Sequence, residues 1–157
     1  MPDRTPLAAL FSNPDIKRLP IVDILSVEQL ASLPFNRHPL GFVHVLIDEE
    51  NGYALRLHIW SDLFRYEQQP YWPIHNHKFD LISRVLTGTL TNRSYRVQQT
   101  DEKTSYRLYD ITYELDGSTI SPSDIRVAVD LCESEQVTAP HWYRIDAGTF
   151  HDTSVPH

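Results

Sequence analysis

The stretch His75-Asn-His77-Lys-Phe-Asp80-Leu81-Ile-Ser-Arg84-Val85-Leu86-Thr-Gly88 decides how this chain is read. Side chains of an extended strand alternate between its faces, so histidines at i and i+2 share one face. Neutral imidazole is the commonest protein ligand for transition metals, and such a pair makes half of a metal site. Asp80 is a further candidate ligand, because carboxylates join histidines at many metal sites. It is out of phase with His75 and His77 unless the backbone bends, and its plain alternative is a turn residue. Near the end of the chain, Gly148-Thr-Phe-His151 offers one more imidazole after the last hydrophobic run.

Working outward, the texture on both sides is that of strands. Gly41 to Asp48 reads as one strand, and Asn51-Gly52 is a strong hairpin signal. Tyr53 to Trp60 returns, with Leu55, Leu57 and Ile59 facing one way and Arg56, His58 and Trp60 the other. If the apolar set packs outward, the polar set faces an interior. His58 and Arg56 are then candidate catalytic groups and Trp60 a candidate substrate contact. Further strands are expected over Leu90–Val97, Ser105–Leu115, Ile125–Cys132 and His141–Asp146. About eight short strands at regular spacing indicate an all-β sandwich or barrel. Cys132 reads as a small buried residue at a strand end.

The N-terminal region differs. Pro2, Pro6, Pro14 and Pro20 predict an irregular arm with a short helical turn near Leu7 to Phe11. Ser26-Val-Glu-Gln29 has the form of a capping box, opening one short helix that Pro34 closes. The expected layout is an arm and helix over 1–40, packed on a barrel over 41–157.

Charge and composition narrow the partners. A net charge of -7 argues against a nucleic-acid partner, which would require a basic patch. The single cysteine excludes an intrachain disulfide and any multi-cysteine zinc site. The N-terminus lacks the apolar run of a signal peptide, and no stretch reaches the length of a membrane span. The sequence therefore predicts a cytoplasmic protein with no membrane partner.

The histidine pair, the Gly turn and the later Gly-x-x-His together resemble the cupin superfamily over about residues 41 to 155. This resemblance implies a double-stranded β-helix, the cupin jelly-roll barrel. It also implies a metal held by His75, His77 and His151. The family's first-motif Glu falls on Leu81; Asp146 and Val155 stand where Pro and Asn are usual in the second motif. A site of histidines without that Glu is similar to the cysteine dioxygenase-like thiol dioxygenases. The order Asn51-Gly52, strand to Trp60, His-x-His and Leu-x-Gly matches that branch. The resemblance thus implies Fe(II), a small-molecule substrate and O2, and a homodimer. Imidazole alone also suits Zn, Ni, Cu or Mn.

Departures from the family keep alternatives open. Phe42-Val43-His44 stands where the family's Tyr-x-Arg grips the substrate carboxylate, which makes His44 the candidate substrate contact there and cysteine an unlikely substrate. Arg84, with Arg56, Arg93 and Arg96, could instead anchor an anionic substrate, although most such arginines are merely solvated. The chain reaches residue 157 where a cupin normally continues, so the barrel is expected to close differently or to extend further. A non-catalytic small-molecule-binding or sensor cupin is one alternative function; a metal-dependent hydrolase, isomerase or lyase is another.

Overall fold

Ser26 opens the only helix among the described residues by satisfying its own end. Gln29 N–H donates to Ser26 Oγ at 3.2 Å and Ser26 N–H donates to Gln29 Oε1 at 2.9 Å. This reciprocal cap starts α1, Val27–Ala31. The computed structural model describes residues 26–63, 72–102, 106–114 and 117–156. The expected arm, its helical turn and most of the loop between Ser61 and Pro73 lie outside the described residues.

The rest of the described residues is strand, turn and irregular chain, so this part of the protein is all-β apart from α1. Nine strands occur among the described residues. By packing, the chain divides into two compact units, up to Trp72 and from Pro73 to Pro156. The first unit holds α1 and a sheet of order β1-β2-β3: Asn36–Arg37, Val43–Glu50 and Tyr53–Ile59. The hairpin between β2 and β3 turns on Asn51 and Gly52, whose φ values of 50° and 81° belong to a type I′ turn. Only residues tolerant of left-handed backbone fit there, which is why Asn-Gly predicted it. A β-bulge between Leu46 and Asp48 shifts the register. On one face of this sheet lies the core pair Val45 and Ile47. His44 and His58 stand directly opposite each other on the other face.

The second unit contains two sheets. Leu81–Arg84 (β4) pairs with Trp142–Ile145 (β8). A four-stranded sheet has the order β6-β7-β5-β9, made from Tyr106–Glu114, Gly117–Thr138, Thr89–Gln99 and Phe150–Ser154. Leu90, Val85 and Val137 form its buried core, with Tyr143 and Val155 packed against them.

The structure corrects the sequence expectation at three points. The histidine pair is not in a continuous strand; His75 forms an isolated antiparallel bridge with His151, and regular pairing starts only at Leu81. Pro73, which has no N–H to donate, stands just before the bridge. β7 runs for 22 residues, far beyond the expected Ile125–Cys132. It is long because it pairs β6 along one part and β5 along the other. Cys132 lies inside that strand and is exposed, beside the equally exposed Leu131.

Candidate metal centre

Two backbone loops bring the three histidines together. His75 N–H donates to His151 C=O at 2.9 Å, and His151 N–H donates back to His75 C=O at 2.8 Å. One step along, Gly148 N–H donates to His77 C=O at 2.8 Å. Gly148 has φ of 80° in the turn that leads from β8 to β9, where a side-chain-bearing residue would be strained. The Gly-x-x-His signal is therefore a turn plus a ligand, and it docks against the His-x-His segment through main-chain hydrogen bonds.

One ligand atom from each of His75, His77 and His151 lies within 4.8 Å of the others. The ring centroids are 4.9, 4.4 and 5.2 Å apart for the pairs His75–His77, His75–His151 and His77–His151. A single ion bound at about 2.1 Å would need these ligand nitrogens closer together than 4.8 Å. Two rings are already oriented for it. His75 Nδ1–H donates to Pro73 C=O at 2.9 Å, and His151 Nδ1–H donates to Thr149 C=O at 3.1 Å. Each contact fixes the tautomer that leaves Nε2 with its lone pair, the orienting device usual at histidine metal sites. His77 stacks on Phe79 with centroids 4.9 Å apart.

Burial lowers the pKa of both His75 and His151, because imidazolium is poorly solvated there. For His151 the neighbouring His75 pushes in the same direction. Both rings are thus held neutral, the form that binds metal. Three histidines lie close enough to hold one metal ion, and the donor set fits a borderline divalent cation.

Asp80 is outside this group. Its Oδ1 accepts from Ala147 N–H at 2.9 Å and its Oδ2 accepts from Arg144 Nη2 at 2.7 Å. It ties Arg144 and the Ala147 main chain to the segment that follows His77. Arg84 lies on β4 opposite Trp142, with its guanidinium 5.9 Å from the indole centroid.

His44, His58 and Trp60 gather within the first unit. Phe42 sits among them, 4.8 Å from His58 and 4.9 Å from Trp60, and His38 stacks on Phe42 at 4.2 Å. Arg56 is exposed and stands opposite Leu46 on the same face. Burial, then the charges of His44 and Arg56, lower the His58 pKa to about 4. A depressed histidine pKa gives stability that is present above the unfolded value of about 6.5 and lost as pH falls through the folded one. The protein is therefore expected to lose about 2 kcal/mol between pH 7 and pH 5 through this residue. His58→Leu should flatten that part of the urea-midpoint profile followed by tryptophan fluorescence; an unchanged profile would show that His58 is not the titrating group.

A second polar cluster adjoins the histidines, and sequence reasoning did not find it. Asp152, 5% exposed, accepts from Arg93 Nε at 2.8 Å and from Tyr95 O–H at 2.7 Å. Arg93 is thus tied into an ion pair here. Burial and Asp152 push the Tyr95 hydroxyl up to about 12, so it stays a donor. The hint in the sequence was an acidic residue directly after a ligand, but its partners are far away along the chain.

Comparison with family models, with curated proteins and with solved structures finds no match to this chain. No helix among the described residues is long and apolar enough to cross a membrane.

Proposed function

We propose that this protein is a mononuclear metal-binding cupin that acts on a small molecule, with iron-dependent dioxygenation as the reaction its donor set suits best. The observation that carries the reading is the convergence of His75, His77 and His151, two of them oriented through Nδ1 to main-chain carbonyls. His75, His77 and His151 would hold Fe(II), and a bound ferrous ion supplies open positions for a substrate heteroatom and O2. The chain's own part is to keep these rings neutral, to orient them and to bury His151.

Thiol chemistry is favoured by the all-histidine set, which matches the branch of cupins that the sequence resembles. In the sequence, Phe42-Val43-His44 lacks the family's carboxylate-gripping Arg, which disfavours cysteine itself as the thiol. The test is anaerobic loading with Fe(II), followed by O2 uptake with a panel of small thiols. Thiol-dependent uptake in wild type that is absent from His77→Ala supports the reading. Stoichiometric iron with no uptake on any thiol would instead leave a ligand-binding barrel. Zinc retained in preference to iron would point to hydrolytic chemistry.

A further inference from the structure

The face of the β5–β9 pair that carries His151 is layered. Residues directly opposite in register share a face, and i, i+2 neighbours on one strand share it too. Ser94 stands opposite His151, and Asn92 opposite Thr153. Leu90, two residues further along β5, packs in the core with Val137 and Val155. The face therefore runs from an apolar floor, through Asn92 and Thr153, to the metal ligand His151.

Asn92 is the anomaly in this arrangement. It is 9% exposed, and its Oδ1 accepts from Thr153 Oγ1–H at 2.7 Å. Its Nδ2 is fully buried and has no hydrogen-bond partner among the described residues. A buried donor left unmade costs about 1–3 kcal/mol, and native structures rarely keep one without a use. Two residues of strand separate Asn92 from Ser94, a rise of about 7 Å, so the orphan donor lies one layer below the ligand His151.

The charge around Asn92 restricts what it can receive. Glu135 stands opposite it on β7. Arg93 alternates to the other face, where it pairs with Asp152. Glu135 is exposed, and with the neighbouring cation turned away the buried amide has no positive charge beside it on its own strand, which suits a neutral acceptor better than an anionic one.

We infer that Asn92 is a specificity-determining residue, donating through Nδ2–H to a neutral carbonyl or hydroxyl oxygen of a small ligand whose other end reaches the metal. This rests on the metal-binding reading of His75, His77 and His151. It further states that the substrate carries an uncharged acceptor group where a carboxylate would be disfavoured.

The test uses the Co(II)-loaded protein and three probes of similar size: mercaptoacetamide, mercaptoacetate and ethanethiol. Their affinities are read from the visible spectrum of the cobalt. The wild-type ratio of mercaptoacetamide to ethanethiol affinity is compared with the ratio in Asn92→Leu, so that differences in thiol acidity cancel. One neutral hydrogen bond to a buried donor predicts that the ratio falls about 10-fold in the variant while ethanethiol affinity holds. In the Zn-loaded wild type, the Asn92 side-chain amide resonance should move with mercaptoacetamide and stay in place with ethanethiol, a readout that needs no variant. An unchanged ratio with an unmoved resonance overturns the inference, as does a mercaptoacetate preference lost in Asn92→Leu. Failure of the wild type to bind Co(II) overturns the metal reading and this inference with it. A normal cobalt spectrum with no amide discrimination overturns this inference alone.

Discussion

Removing the His77 imidazole is expected to lower metal affinity by at least about 100-fold, because loss of an outer-shell partner alone costs 10- to 100-fold. A factor of 100 corresponds to about 2.7 kcal/mol. His75→Ala and His151→Ala should lose at least as much, since each ring is pinned at Nδ1 and cannot be replaced by a neighbour. Asp80→Asn is the contrasting variant: its carboxylate serves Arg144 and Ala147, so affinity should stay at the wild-type value. Competition with a chromophoric chelator measures all of them with one metal. Wild-type affinity in all three alanine variants would dismiss the centre, and a large loss in Asp80→Asn would restore Asp80 as a ligand.

The reason for the contrast between Asp80 and the histidines also explains what the sequence could reveal. His75 and His77 were legible as a closely spaced imidazole pair, although the continuous strand expected to carry them is only an isolated bridge at His75. His151 was legible because Gly148 marks a turn at a fixed distance before it. The Asn51-Gly52 hairpin was legible for the same reason, as its left-handed φ values exclude most residues. Each of these signals is contained within a few neighbouring residues.

Other features depend on pairing across the chain. β7 looks like a short alternating strand, and only its two partners, β5 and β6, extend it to 22 residues. The exposure of Cys132 follows from that extension and from no property of its neighbours. β1 is two residues long and exists because Asn36 and Arg37 meet His44 and Val43. The polarity of Asn92 and Asp152 was visible in the sequence, but their burial was not. Both meet residues about 60 positions away, Asn92 with Thr153 and Asp152 with Arg93.

That last pairing carries the second large effect. The Asp152 side chain is 7% exposed and Arg93 39%, so the carboxylate depends on its partners for the hydration it has lost. Replacing Arg93 by Leu strands a buried carboxylate with only the Tyr95 hydroxyl. Complete burial of both groups would cost 3–5 kcal/mol, and the partial exposure of Arg93 reduces the expected loss to about 2–3 kcal/mol. Urea unfolding should record it as a lower midpoint at constant slope. The double variant Arg93→Leu/Asp152→Leu should recover most of the loss, because no charge is then left stranded. If the double variant were as unstable as Arg93→Leu, the loss would come from packing of the guanidinium stem. The same substitution acts on the metal centre through β9. Arg93 and Asp152 form the cross-strand pair beside Ser94 and His151, on a strand of five residues at the sheet edge. Loosening that pair lets His151 leave its bridge with His75, so metal affinity should fall in Arg93→Leu and return in the double variant.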